Sequence, residues 1–363
     1  MARERELEQL CCLGLLGETL VPELLAGLHG IASSRANIFF WFDERGEVCN
    51  AYAEDPAFYE GLPQYFAEYY GREEFDLAGV THAQFMRHPA VTDDFRNLVR
   101  DDRRLERSGF YNDLFRSQGF RNITYLKVRE GGRPVGMVLL GTDEAKPGIA
   151  AAERKRLARL APFIAHALAA PKSFRAASYE EEDFGLMVFD RSAGLKHVSA
   201  SARMLLFLAA YPQAGIRQFE RSGRFELRVP DAVRRLCFDF QSGVRAQAGA
   251  GTAPSHVIDN RWGRFAFRAY PLEPLRREEG LIGVIVQRHV PTPLAHWRRI
   301  RALGLPPKQA EVCFHLANGR RYADIATAMG VSINTVTWHV REIYARFDVH
   351  SAPELGRKLL AQR

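Results

Sequence analysis

The first part of the chain begins with an apolar-rich stretch that predicts a helix over Glu4–Gly30. The apolar run Ile38–Phe42 ends at the turn residues Asp43–Gly46 and resumes over Glu47–Ala53, which predicts a β-hairpin. Residues 56–120 are then read as helices and loops with many aromatic side chains. This order predicts an α+β domain at the start of the chain.

A second hairpin is predicted where the apolar runs Ile123–Val128 and Pro134–Leu140 flank a turn that contains two glycines. A closing helix follows, since Leu157, Leu160, Ile164 and Leu168 recur at spacings of three and four. We expect Pro162 to kink this helix or to break it locally, because proline lacks the amide hydrogen that a helix interior uses.

The middle of the chain repeats the alternation of strand and helix. Gly185–Asp190 and Leu195–Ser199 predict a hairpin, Ala200–Ala210 predicts a helix, and Arg264–Tyr270 and Leu281–Arg288 predict closing strands. The middle region is therefore predicted as a second α+β domain.

Helical spacing dominates the end of the chain. Helices are predicted at Gln309–Asn318, Tyr322–Met329 and Ile333–Phe347, with Gly330–Ser332 as a tight turn between the last two. In the last of these helices, Val336 and Val340 begin an apolar face with spacings of four, three and four. Two helices joined by a short turn, the second of them polar on its outer face, predict a helix-turn-helix.

The outer face of that last helix carries side chains suited to DNA. Asn334, Thr337, Trp338 and Arg341 lie opposite the apolar face. A helix of this kind fits the major groove, which is about 12 Å wide.

Two breaks divide the chain, one at Ala170–Asp183 and one at Val290–Pro293. They predict domains over residues 1–170, 171–292 and 293–363. The small residues of Ala246–Pro254 predict a loop inside the middle domain.

Charge distinguishes the last of these domains. The 363 residues carry a net charge of +7, of which residues 293–363, with 11 basic and 5 acidic side chains, contribute +6. Residues 1–170 are net −4 and residues 171–292 are net +5. A small basic module after a larger body is typical of nucleic-acid binding, although a basic surface without a partner would have the same composition.

Composition excludes several classes of protein. Hydrophobic residues make up 47% of the chain, and no apolar run reaches the length of a membrane helix. The N-terminus has no signal-peptide core, and five cysteines without CxxC spacing favour neither disulfides nor zinc. We therefore expect a cytoplasmic protein without membrane contact, and we assign it no catalytic residue, metal or cofactor.

Aromatic residues are concentrated between positions 39 and 75, which hold 12 of the 40 in the chain. One interpretation is an apolar pocket for a small ligand, and the other is a hydrophobic core in a domain with little sheet. Under the first interpretation we predict ligand contacts from five side chains: Trp41, Tyr52, Tyr65, Tyr69 and Tyr125.

The C-terminal region resembles the LuxR-type (GerE-like) helix-turn-helix family of bacterial transcription regulators. The residues that carry the resemblance are Pro307-Lys-Gln-Ala-Glu-Val312, Ala317-Asn-Gly319, Asp324-Ile-Ala326, Met329-Gly-Val-Ser-Ile-Asn-Thr-Val-Thr-Trp-His-Val340, Ile343-Tyr-Ala-Arg-Phe347 and Val349-His-Ser351. The resemblance implies a fourth helix at Pro353–Leu360 that serves dimer contacts on DNA. It also implies that the protein is a DNA-binding regulator and not an enzyme.

The resemblance also assigns DNA contacts by position. It places base contacts at Thr337, Trp338 and Arg341, and phosphate contacts near Asn334, Thr335 and His339. The chain departs from the family where a common lysine is replaced by Thr337 and another by Ala323, so its target site is expected to differ. Arg320 and Arg321 are candidates to replace the missing phosphate contacts.

The first domain resembles a GAF domain and the second a PAS domain, by order of elements alone. Together these resemblances imply two α+β sensory domains before an all-α four-helix domain, in a homodimer that binds double-stranded DNA under control of a small molecule. The acyl-homoserine-lactone subtype is not indicated. The alternatives are a ligand-independent regulator controlled by protein partners, and a haem or flavin sensor whose candidate ligands would be His29, His82, His88 and His166.

Overall fold

The computed structural model describes residues 2–55, 57–80, 82–99, 101–143, 148–169, 179–211, 227–241, 255–273 and 280–361. The predicted loop at residues 246–254 and most of the predicted break at residues 170–183 lie outside these ranges. The chain divides into two compact units, one of residues 3–174 and 183–288 and the other of residues 175–182 and 289–363. No described helix is long and apolar enough to cross a membrane.

The first sheet contains both predicted hairpins, which the structure confirms. Its strands lie in the order β2-β1-β5-β4-β3, and each hydrogen-bonded pair is antiparallel. Strand β3 has only three residues and was not predicted from the sequence. The five strands are β1 (Ala36–Phe42), β2 (Val48–Ala53), β3 (Thr92–Asp94), β4 (Asn122–Glu130) and β5 (Arg133–Thr142).

The strand register assigns the two faces of this sheet. Phe40 pairs with Met137, and Tyr125 pairs with Leu139. Directly paired residues point to the same side, and successive residues along a strand point to opposite sides. One face therefore carries Phe40, Met137, Leu139 and Tyr125, whereas Trp41 points to the other face.

Three helices of the first domain differ from the sequence prediction. The stretch predicted as one helix forms α1 (Ala2–Cys11) and α2 (Gly17–Leu28). The prediction was wrong because Gly14, between them, adopts a φ of 67°, which a helix cannot include. The closing helix α7 (Ala151–Ala169) is continuous through Pro162, so the expected local break is absent from it.

Short helical segments cover the face of the sheet that carries Phe40 and Tyr125. Tyr65–Glu73 is π-helical with a kink at Tyr70 and Gly71, and Phe110–Phe115 is also π-helical. Phe95–Leu98 and Arg116–Gln118 are 3-10 turns. The α-helices of this region are α3 (Ala57–Gln64), α4 (Glu74–Ala78), α5 (His82–Arg87) and α6 (Asp102–Arg107).

A second five-stranded sheet follows, in the order β7-β6-β10-β9-β8. Its strands therefore have the same relative order as those of the first sheet, so the chain has two sheet-rich domains before the C-terminal helices. Strand β8 and helix α9 were missed by the sequence prediction. The elements are β6 (Tyr179–Phe189), β7 (Leu195–Val198), α8 (Ala200–Ala210), α9 (Asp231–Gln241), β8 (Ser255–Asn260), β9 (Gly263–Leu272) and β10 (Leu281–Pro291).

Five helices form the C-terminal part of the second unit. The sequence predicted three of them, two with identical bounds, the family resemblance implied the last, and the first was missed. The break predicted at Val290–Pro293 coincides with the end of β10 at Pro291. The first helix begins directly after it, with Pro291 as its N-cap and Pro293 in its first turn, where no amide hydrogen is needed. The helices are α10 (Thr292–Ala302), α11 (Pro307–Ala317), α12 (Tyr322–Met329), α13 (Ile333–Phe347) and α14 (Ala352–Ala361).

Candidate nucleic-acid interface and ligand cavity

The turn between α12 and α13 is fixed by local hydrogen bonds. Gly330 ends α12 with a φ of 62°, a left-handed conformation that favours glycine. The Val331 amide donates to the Ala326 carbonyl at 3.0 Å, which closes the end of the helix. Ser332 then caps α13, because its hydroxyl accepts from the Thr335 amide at 3.1 Å. The angle between the two helices is thus set by residues of the turn itself.

Helix α13 has one buried and one exposed face. Val336, Val340 and Ile343 are at most 3% exposed and form the inner face. Trp338 is 55% exposed. Its ring contacts that of His339, with centroids 4.8 Å apart, and more than half of its surface is left open to solvent. A large apolar side chain exposed in this way marks the face as a candidate contact surface.

The other predicted DNA contacts differ in accessibility. Asn334 and Arg341 are exposed, and Thr335 and Thr337 are half-buried. The Thr337 hydroxyl donates to the Ile333 carbonyl at 3.0 Å, so it is already engaged within α13. Asn334, Trp338 and Arg341 therefore form the exposed face, which we call the α13 outer face.

The remaining predicted DNA contacts are His339, Arg320 and Arg321. His339 is only 8% exposed and does not lie on the α13 outer face with Trp338. Arg320 and Arg321 are exposed immediately before α12. Their guanidinium groups are available to an anion, whereas the side chain of His339 is packed inside.

Burial keeps two other histidines of this region neutral. Burial, with a smaller contribution from Arg320, lowers the pKa of His315 to about 4. Burial also lowers the pKa of His296, against the opposing effect of its hydrogen bond to Asn318. The positive charge of the domain near neutral pH thus comes from arginine and lysine.

A separate cavity of about 220 Å³ lies in the first domain, between the sheet and the short helical segments. Its floor includes Phe40, Met137 and Tyr125, which the strand register places on one face. At the rim, the Tyr70 hydroxyl donates to the carboxylate of Glu47, and the kinked Gly71 follows. The remaining lining residues are Val48, Phe58, Tyr65, Phe75, Ala78, Val80, Phe85, Phe95, Leu98, Phe110, Leu114, Phe115, Ile123 and Leu139.

Tyr125 is the most deeply buried tyrosine of that lining. It is 1% exposed, and its hydroxyl has no hydrogen-bond partner among the described residues. Burial, followed by the nearby carboxylates of Asp93 and Asp94, raises the pKa of Tyr125 to about 12. The hydroxyl is therefore a buried, protonated donor of a side chain that lines a largely apolar cavity.

A buried cation lies against two rings of the cavity wall, since the Lys127 ammonium is near both Phe85 and Tyr125. The Lys127 ammonium donates to the Phe85 carbonyl at 2.5 Å and lies 3.9 Å from the centroid of the Phe85 ring. Burial, and then the charge of Arg129, lowers the pKa of Lys127 to about 8. Lys127 is not among the lining residues, so its role in the described structure is to hold the Phe85 segment against β4.

The predicted ligand contacts separate into two groups. Tyr65 and Tyr125 line the cavity. Trp41 and Tyr52 instead contact Trp262 of the second sheet, with ring centroids 5.8 and 5.7 Å apart, and the Tyr69 hydroxyl donates to Asp113 at 2.5 Å. Ligand binding by these residues stays a prediction, and only the first group lies in the cavity.

Most residues that line the cavity were not predicted, because the prediction considered only the aromatic cluster at residues 39–75. Phe85, Phe95, Phe110 and Phe115 lie outside residues 39–75 and reach the cavity through the later helical segments. A second concentration of aromatics at residues 110–120 was the available signal. Spacing along the chain could not show that the two clusters face each other.

The haem or flavin alternative depends on His29, His82, His88 and His166, of which the side chain of His82 lies outside the described part of the structure. His29 is engaged with Glu54 at 2.9 Å, and this hydrogen bond raises the pKa of His29. Across the described residues, no group of three or more histidine, cysteine, aspartate or glutamate side chains is arranged to hold a metal ion.

Residues 304–359 match the family model GerE, described as bacterial regulatory proteins of the luxR family. This match identifies a LuxR-type helix-turn-helix domain at the end of the chain and agrees with the geometry of α12 and α13. No curated protein matches the chain.

Several solved structures show a weaker likeness. A Vibrio cholerae VqmA dimer is 17% identical, with 49% of this chain and 82% of that chain covered and a TM-score of 0.19. A phage VqmA–DPO complex is 19% identical over 50% and 82% of the two chains, with a TM-score of 0.19. The E. coli DhaR(N)–DhaL complex is 12% identical over 78% and 87%, with a TM-score of 0.26. These TM-scores are too low to establish a common fold.

Proposed function

Because residues 304–359 form a LuxR-type helix-turn-helix domain, we propose that this protein is a non-enzymatic, sequence-specific DNA-binding transcription regulator. The single observation that carries the proposal is the α13 outer face, where Trp338 is 55% exposed beside exposed Asn334 and Arg341. In this proposal α13 enters the major groove, where each base pair presents a distinct pattern of donors and acceptors.

The roles of the contact residues follow from their chemistry. Arg341 reads guanine, because a guanidinium group can donate two hydrogen bonds to the O6 and N7 atoms. Trp338 contacts a thymine methyl group or a sugar with its apolar ring. Arg320 and Arg321 bind phosphate, which positions the domain without reading sequence.

We further propose that the protein acts as a homodimer whose affinity for DNA changes when a small molecule binds the first domain. Two recognition helices about 34–36 Å apart would then meet successive half-sites. In this proposal the first domain is a GAF-like and the second a PAS-like sensory domain. The domain boundaries near residues 170 and 292 belong to the same proposal.

The β1–β2 hairpin supplies a physical route for such a signal within the first unit. Phe40 and Val48 line the cavity, whereas Trp41 and Tyr52 on the same hairpin contact Trp262 of the second sheet. A ligand that displaces the hairpin would therefore shift the contact with the second domain. The ligand can change the affinity for DNA only as far as its own affinities for two arrangements of the protein differ, one that binds DNA well and one that binds it poorly.

The proposal is tested by selecting a binding site from random duplex DNA and titrating the full-length chain against it and against a scrambled duplex. We expect Trp338→Ala to weaken binding to the selected site about tenfold, a loss of about 1.4 kcal/mol. Arg159→Ala is the matched surface control, because Arg159 is exposed on α7, outside the DNA-binding domain. Equal affinity of the wild-type chain for both duplexes would refute sequence-specific binding, and a monomer by native mass spectrometry would refute the dimer.

A further inference from the structure

We propose that the cavity of the first domain binds an uncharged molecule of one or two rings that carries a hydrogen-bond acceptor for the Tyr125 hydroxyl. This inference rests on the ligand-sensing part of the proposed function and names the chemical class of the ligand. Three observations carry it: the size of the cavity, the charges around it, and the state of Tyr125.

The size of the cavity sets the size of the ligand. Its volume is about 220 Å³, and its walls are aromatic or aliphatic side chains for the most part. An apolar cavity of roughly 150 Å³ in another protein holds benzene. A single ring with substituents or a fused pair of rings therefore fits, and edge-to-face contacts with Phe85 and Phe110 would orient it.

The charges of the lining favour a neutral ligand. No lysine or arginine is among the described lining residues, and the one carboxylate, Glu47, is on the rim and already accepts from Tyr70. The Lys127 ammonium lies 3.9 Å from the Phe85 ring and 5.0 Å from the Tyr125 ring, but it already donates to the Phe85 carbonyl and is not a lining residue. An anion in the cavity would therefore lose its hydration without a direct ionic contact, which is costly in an apolar site. A cation would meet only a carboxylate that is exposed to water.

Tyr125 provides the polar contact. Its hydroxyl is buried in the cavity wall and makes no hydrogen bond to the described residues. A buried hydroxyl without a partner carries a desolvation cost, which a ligand acceptor would remove. By contrast, the buried Tyr111 donates to the Arg121 carbonyl at 3.1 Å and has no need of a ligand.

The experiment compares three probes by isothermal titration of the full-length protein at neutral pH: naphthalene, quinoline and 1-naphthoate. Naphthalene and quinoline have nearly the same shape, but only quinoline has an acceptor. We expect both to bind, with quinoline bound about 3- to 10-fold more tightly because of one hydrogen bond. We expect 1-naphthoate to bind at least about 10-fold more weakly than naphthalene, because its charge must be desolvated.

Two variants test whether the Tyr125 hydroxyl donates to the acceptor of the ligand. In Tyr125→Phe, the advantage of quinoline over naphthalene should disappear while the affinity for naphthalene is unchanged. Tyr111→Phe is the matched control, in which the advantage should persist. Persistence of the advantage in Tyr125→Phe, or tight binding of 1-naphthoate, would overturn the proposed chemistry. Failure of both neutral rings to bind would overturn the cavity as a ligand site, whereas DNA binding, measured separately, would stand.

Discussion

Trp262 meets Trp41 edge to face, with ring centroids 5.8 Å apart and planes at 88°. Trp262 lies in the turn between β8 and β9, and it is completely buried. Beside it, Arg261 pairs with Glu18 at 2.7 Å and accepts a hydrogen bond from Thr19 through its carbonyl oxygen at 2.8 Å. One tight turn of the second domain is thus packed against the first helices and the first hairpin.

We predict that Trp262→Ala destabilises the first unit by about 3–5 kcal/mol, because it leaves a cavity at the contact with Trp41. Urea denaturation followed by circular dichroism measures the change. Trp338→Ala is the matched control, since that ring is 55% exposed, and it should change the free energy of unfolding by less than about 0.5 kcal/mol. A similar loss in both variants would show that Trp338 also packs inside its domain.

We predict that Arg341→Ala and Arg321→Ala impair DNA binding in different ways. Arg341→Ala should cost about 1–3 kcal/mol at one base position and relax the preference there. Arg321→Ala should weaken binding to all sequences and reduce the slope of log affinity against log salt by about 0.9 for each lost phosphate contact. Titrations of matched and scrambled duplexes at several salt concentrations separate the two effects. If the slope of log affinity against log salt is the same in the wild type and in Arg321→Ala, Arg321 does not contact a phosphate.

We predict that Gly185→Ala destabilises the second sheet by about 1–3 kcal/mol. A methyl group on Gly185 would lie 2.4 Å from the backbone of Ala202, and backbone cannot rotate away as a side chain can. Gly148→Ala is the control, because its methyl group would meet nothing closer than the Asp94 carboxylate at 3.7 Å. Thermal unfolding compares the two variants. Equal melting temperatures would mean that β6 and α8 can move apart at no cost.

We predict that acid weakens the C-terminal domain through His315, whose pKa is lowered to about 4 from an ordinary 6.5. The unfolded chain binds a proton at this group before the folded chain does, so stability is lost as the pH falls from about 6.5 to 4. The loss from this one group is at most about 3 kcal/mol. Urea denaturation at pH 7.5, 6, 5 and 4 should show a shallower decline in His315→Gln, with Trp338→Ala following the wild-type slope.

The C-terminal domain was predictable from sequence because its signals are local. The apolar spacing of Val336, Val340 and Ile343, with Ser332 before them as a cap, gave the observed bounds of α13. The helix that begins at Thr292 was missed, because Pro291 and Pro293 were interpreted only as the end of the preceding element, whereas proline is also favoured in the first turn of a helix. His339, where the resemblance places a phosphate contact, is 8% exposed, and that contact stays a prediction.

The cavity and the Trp41–Trp262 contact, in contrast, were decided by the tertiary structure. The sequence indicated a cluster of aromatics between residues 39 and 75, but it did not indicate which of them meet. Trp41 and Phe40 are neighbours in the chain and face opposite sides of β1, so one packs on Trp262 and the other lines the cavity. Strand alternation is local, but Trp262 and the cavity-lining residues Phe110 and Phe115 come from distant parts of the chain. The sequence by itself therefore determined the helix-turn-helix and the two hairpins of the first sheet, and long-range packing determined which side chains surround a ligand-sized space.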